Sequence, residues 1–113
     1  MPRPELEFHR PDAVWQPTDR PGIWTQMLSL DPETGDYTRL LRYEPGVDTS
    51  TQGTRVHDYW EEVLILDGDL TDLRLNETFT AGMYACRPPG MPHGPWRTDG
   101  GVLMLEISYG SRR

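Results

Sequence analysis

Three things are scarce in this chain of 113 residues, and each scarcity excludes something. There is one cysteine, Cys86, so no disulfide can form within the chain; burial as a small hydrophobe is the commonest role for such a residue. There is no long apolar run. Nothing approaches the roughly 20 residues that cross a bilayer, and residues 1–10 lack the apolar centre of a signal peptide, so a cytoplasmic protein with no membrane partner is expected. Positive charge is short as well, with 11 basic residues against 18 acidic ones and a net charge of −7. A phosphate backbone would be repelled over most of such a surface, which argues against nucleic acid as a partner.

What the chain has instead is turn chemistry. Eleven prolines and eleven glycines in so short a sequence interrupt it often, which suits many short strands and not long helices. The length gives one domain, 1–113, with a real core and no room for a second. Residues 1–21 read as an N-terminal arm of short extended pieces along a sheet edge, where Pro4, Pro11, Pro17 and Pro21 are tolerated because an edge needs fewer ladder donors. The core runs over 22–108. Apolar and β-branched runs at 23–30 and 37–43 flank Asp31-Pro-Glu-Thr-Gly-Asp36 and predict a hairpin. The polar stretch 44–53 predicts a loop able to lie over a cavity mouth. A strand is expected over 61–66, stopped by Asp67-Gly68, with 69–75 as its hairpin partner. Short strands follow at 76–82 and 83–86, and 102–108 closes the sheet as a strand apolar on both faces. The total is about nine or ten strands with no helical period, the pattern of an all-β sandwich or barrel. The tail from Gly110 looks loose.

Two stretches carry chemistry. Residues 55–68 contain His57 and Glu61, and residues 82–97 contain His93 in a turn shaped by three prolines and a glycine, which fixes its backbone at little entropic cost. In an extended strand Arg55 and His57 share a face, and Glu61 rejoins that face if the chain bulges near Tyr59-Trp60. Two imidazoles and a carboxylate buried without partners would cost a few kcal/mol. A divalent metal removes that cost, and two histidines with one carboxylate leave coordination positions open, which suits non-haem iron and also manganese, nickel, cobalt or zinc. The competing reading is a metal-free pocket in which the three are satisfied polar residues.

At these positions the sequence resembles the cupin superfamily. Its second motif, Gly-x5-Pro-x-Gly-x2-His-x3-Asn, is matched by Gly82, Pro88, Gly90 and His93, with Arg97 in place of the final Asn. Its first, Gly-x5-His-x-His-x3,4-Glu-x6-Gly, is matched by His57, Glu61 and Gly68; Arg55 holds the first His position and Thr49 the leading glycine. The resemblance covers roughly residues 40–108 and implies a jelly-roll-like β-barrel with a divalent metal on His57, Glu61 and His93, one ligand being absent. The wording from Glu61 to Asp72 is similar to the single-domain branch near acetylacetone-cleaving dioxygenases and the cupin halves of zinc anti-sigma factors.

Arg55 is the informative departure. At about 6 Å from a divalent ion a guanidinium is repelled by roughly 5 kcal/mol at an effective dielectric near 20. It therefore clamps an anionic substrate that is also a metal ligand, or pairs with Glu61 and abolishes metal binding, or is held outside by Asp58 while water or Gln52 fills the vacated place.

The residues and the resemblance together predict a metal-dependent enzyme acting on a small organic acid, diketone or phenolic ketone. The resemblance puts dioxygenase cleavage with iron first, ahead of decarboxylase, lyase or isomerase chemistry. Arg55 orients the anionic end; Tyr84 is a candidate acid or base; Trp24, Trp60, Trp96 and Met104 are candidate substrate contacts, each with core packing as its plainer explanation. A non-catalytic module binding a metabolite or zinc, and a metal-free isomerase, are the alternatives. His9 reads as a surface residue, and Glu62 as solvated or at a dimer contact. The Pro-rich edge and apolar last strand, with the family's habit, predict a homodimer.

Overall fold

A computed structural model describes residues 3–12 and 14–110. Among them are eight strands: β1 (Gln16–Pro17), β2 (Ile23–Leu30), β3 (Tyr37–Tyr43), β4 (Trp60–Asp72), β5 (Glu77–Thr80), β6 (Tyr84–Arg87), β7 (Trp96–Arg97) and β8 (Val102–Tyr109), plus one 3-10 turn at Ser50–Gln52. No helix of the described residues is long and apolar enough to cross a membrane. The loose tail expected beyond Gly110 lies outside the described residues.

All pairings are antiparallel, in the order β1-β2-β3-β8-β4-β5, with β6 and β7 also on β4. Among the described residues the ladder has free ends and does not close, and the fold is a jelly-roll-like all-β shell. The arm contributes an edge strand, as its prolines require, and the β2–β3 hairpin forms where turn chemistry placed it, with Asp31 Oδ1 accepting the Glu33 amide at 2.9 Å.

One expectation is corrected. Asp67-Gly68 does not turn the chain back; β4 runs on for 13 residues. The register against β8 slips between Ile65 and Asp67, a bulge that bends the strand instead of ending it. Its first half pairs with β8 and β6, its second with β5 and β7, so one strand serves both sides of the shell. Gly68 has φ of 92°, and a Cβ there would lie 2.0 Å from the Gly101 carbonyl oxygen, so only glycine allows this bend. The true reversal follows Asp72, whose Oδ1 accepts the amides of Arg74 and Leu75 at 2.9 Å each, with Asn76 at φ 56°. Merging two expected strands into one accounts for the lower strand count.

Side-chain alternation builds the interior. Glu61, Val63 and Ile65 of β4 are buried opposite Ser108, Glu106 and Met104 of β8. Ile23, Leu41, Tyr43, Leu70, Trp96 and Val102 complete the core. β8 is thus apolar only in part on its inner side. Cys86 is exposed on β6, contrary to the expected burial, because it alternates with the inward Arg87.

Candidate metal centre

Three segments bring the polar cluster together. His57 stands on the loop entering β4, Glu61 is the second residue of β4, and His93 lies between β6 and β7. The two loops are stitched by backbone: the Arg55 amide donates to the His93 carbonyl at 2.7 Å, the His93 amide returns to Arg55 at 2.9 Å, and the Gly90 amide donates to His57 at 2.8 Å. These bonds fix the main chain of both histidines, while Nδ1 of the His93 ring is buried without a hydrogen-bond partner among the described residues.

His57 Nε2 lies 3.6 Å from Glu61 Oε2, and His93 Nε2 lies 3.9 Å from Glu61 Oε1. One ligand atom from each residue falls within 4.8 Å of the others. Atoms bound at about 2.1 Å to a common ion lie at most about 4.2 Å apart; both histidine–glutamate distances meet that limit, on different Glu61 oxygens, and the 4.8 Å span of the full set requires the side chains to draw in by roughly half an ångström on binding. Glu61 is 5% and His93 6% exposed, while His57 is half-buried. Burial, then Arg87 and His57, push the His93 imidazole down to about 4. Burial and then Arg55 hold His57 below its ordinary value as well. Both rings are therefore neutral at pH 7, with lone pairs free to coordinate. Neutral imidazoles beside a carboxylate are a donor set that fits a divalent cation.

The cluster faces a cavity of about 90 Å³. Its lining is strongly cationic for so acidic a protein: the chain has no lysine, and four of its 11 arginines, Arg20, Arg39, Arg55 and Arg87, stand around this one space. Two are paired. Arg87 Nη1 donates to Glu61 Oε1 at 2.8 Å, with its guanidinium 5.2 Å over the Trp96 ring. Arg39 Nε donates to Glu106, which also accepts the Tyr37 hydroxyl at 3.2 Å. Burial raises the Glu106 carboxyl pKa, with Arg39 opposing it, and burial pushes the Tyr37 hydroxyl up.

Of the residues singled out in the sequence, Arg55, His57, Glu61, His93, Trp96 and Met104 line this cavity. Arg55 is exposed at its rim and, among the described residues, makes no ion pair with Glu61; Arg87 takes that place. Three assignments are corrected. Trp24 points away from the cavity and donates Nε1 to Glu44 at 2.7 Å, because its neighbour Ile23 is the one that faces in. Trp60 lies outside, stacked on Tyr109 at 6.4 Å, because Glu61 takes the inward position. Tyr84 is 58% exposed on the outer face, bonded to Glu62, so it reaches no reacting group in the cavity.

Sequence reasoning missed Arg87 and the Glu106–Arg39–Tyr37 group. A lone charge in the apolar run 102–108 was the available signal for Glu106, since glutamate is almost never fully buried unpaired. Arg87 could be found only from the β4–β6 register, which sets it opposite Glu61.

Comparison with solved structures gives the same architecture. An RmlC-like cupin from Shewanella frigidimarina superposes with a TM-score of 0.75 at 16% identity, over 100% of this chain and 97% of that one. An acetylacetone dioxygenase from Acinetobacter johnsonii gives 0.75 at 19% identity, over 95% and 75%. The anti-sigma factor ChrR of Rhodobacter sphaeroides, solved in complex with SigE, gives 0.68 at 21% identity, over 87% of this chain and 50% of that chain. At these identities the likeness is one of fold. No curated protein matches the chain. The ChrR cupin-like domain family matches residues 5–110, nearly the whole length, and the chain belongs to that family.

Proposed function

We propose that this protein is a metal-dependent cupin enzyme that acts on a small, oxygen-chelating anion: an organic acid, a diketone or a phenolic ketone. The observation that carries the reading is the convergence of His57, Glu61 and His93 on the wall of a small cavity rich in arginine. A divalent ion held by these three would supply Lewis acidity and, if it is iron, redox chemistry. The chain's own residues do the rest. Arg55 at the rim is free to orient an anionic group through its planar fork. Trp96 and Met104 present apolar walls that keep water from the reacting end. The fold shared with acetylacetone dioxygenase supports testing oxygen-dependent cleavage of diketones first.

The test has two stages. Elemental analysis of protein expressed without added metal is expected to give one divalent ion per chain, with iron foremost. Oxygen uptake with a panel of diketones and small keto acids is then expected to depend on that ion and to vanish in His57→Ala. No stoichiometric metal, with ligand binding and turnover unchanged in His57→Ala, would refute the reading.

A second reading, a module that binds a metabolite or zinc without turnover, draws support from the likeness to the anti-sigma factor ChrR. Turnover of any candidate substrate eliminates it. We also propose a homodimer: Leu6, Phe8 and Val14 of the arm, with Leu66 and Tyr84 of the outer sheet face, expose apolar surface that a second copy would cover. Light scattering should give twice the 13.0 kDa chain mass, and a strictly monomeric mass would exclude this.

A further inference from the structure

The ion pair between Arg87 and Glu61 places a cation on the one carboxylate that a metal would need. The bonded oxygen, Oε1 at 2.8 Å from Arg87 Nη1, is the same oxygen that faces His93 Nε2 at 3.9 Å. Both side chains are largely withdrawn from solvent, at 12% and 6% exposure, and their residues sit directly opposite in the β4–β6 register. The Trp96 ring backs the guanidinium at 5.2 Å and holds it at the cavity wall.

A metal that takes Glu61 draws away the negative charge that neutralises Arg87, and it adds two positive charges nearby. A buried guanidinium stripped of its counter-ion is strongly destabilising. The other carboxylate in the cavity offers no relief, because Glu106 already accepts from Arg39 and Tyr37. An anion that enters the cavity beside Arg87 would supply that relief.

We propose that Arg87 is the anion-binding, specificity-determining residue of this pocket: it neutralises Glu61 while the cavity holds no ligand and takes a carboxylate of the incoming substrate once Glu61 serves the metal. This rests on the metal-centre reading above and narrows the substrate class to small molecules that pair a metal-chelating oxygen with a separate carboxylate. Metal and carboxylate then bind cooperatively, each strengthening the other by the same factor.

The probes are cobalt(II) and acetate, measured by calorimetry and by the visible spectrum of bound cobalt. Arg87→Gln is expected to bind cobalt about tenfold more tightly than wild type without acetate, because its competitor for Glu61 is gone. Acetate is expected to tighten cobalt binding to wild type by about fivefold and to Arg87→Gln by less than about twofold. Equal or weaker cobalt affinity in Arg87→Gln, or an acetate effect that survives the substitution, overturns the role of Arg87 while leaving the metal centre standing. Cobalt that fails to bind, or that binds His93→Ala as well as wild type, overturns both. Should Arg87→Gln not fold, wild type and Arg87→Lys carry the test: no acetate effect in wild type, or an undiminished one in Arg87→Lys, overturns the proposal.

Discussion

Glu61 and Glu62 are neighbours of identical chemistry with opposite fates. Glu61 is buried among His57, His93 and Arg87 at the cavity, whereas Glu62 stands on the outer face, where it accepts a hydrogen bond from Tyr84. Nothing but strand alternation separates them. The outer carboxylate is held below its usual range by the Tyr84 and Tyr109 hydroxyls, an arrangement any exposed glutamate can make. The inner one gains meaning only from what the fold puts around it.

The largest expected consequence of this contrast is in metal affinity. Loss of a coordinating carboxylate exceeds the 10–100-fold cost of losing a supporting contact, so Glu61→Gln should weaken cobalt(II) binding by at least about 100-fold while Glu62→Gln changes it by less than about twofold. Titration calorimetry on the two variants checks it, and equal effects would erase the distinction between the faces.

The same alternation continues along β4. Ile65 is buried and Leu66 is exposed. In urea unfolding at a dilution where the chain is monomeric, we expect Ile65→Ala to cost about 3 kcal/mol and Leu66→Ala about 0.5 kcal/mol. Comparable costs in the monomer would mean that the outer face is packed within the chain as tightly as the inner one, whereas a Leu66→Ala cost that grows with protein concentration is what the proposed dimer requires.

Protonation gives a third contrast, in metal-free protein. The native state keeps His93 unprotonated down to about pH 4, while the unfolded chain takes up a proton near 6.5. Between those values the unfolded state binds more protons, so stability is full above about 6.5 and falls as pH drops toward 4, by at most about 3 kcal/mol. Chemical denaturation at pH 7 and pH 4.5 should show the loss, and His93→Gln should shrink it. The smallest effect belongs to Tyr84→Phe, which should leave cobalt affinity within about twofold of wild type because the hydroxyl bonds only on the outer face.

Much of this was legible before any coordinates. Turn residues located the β2–β3 hairpin, and the spacing of His57, Glu61 and His93 marked the cluster. The errors share one physical origin. Which face of a strand a side chain takes depends on register, and register depends on partners distant in sequence. Trp24, Trp60 and Tyr84 read as pocket aromatics, yet each follows or precedes an inward residue by one position. Gly68 read as a hairpin glycine because its dipeptide with Asp67 suits a tight turn. Only the approach of Gly101 reveals that it serves a bend within one continuous strand. Arg87 was invisible for the same reason, since nothing local announces that it faces Glu61.

The central claim is that a divalent ion sits among these three side chains and not elsewhere on an acidic surface. Anomalous diffraction from crystals of the cobalt-loaded protein tests it most directly. The account predicts one strong peak within about 2.0–2.2 Å of His57 Nε2, His93 Nε2 and a Glu61 oxygen. A peak only at surface carboxylates, with Glu61 still bonded to Arg87 as it is here, would contradict it.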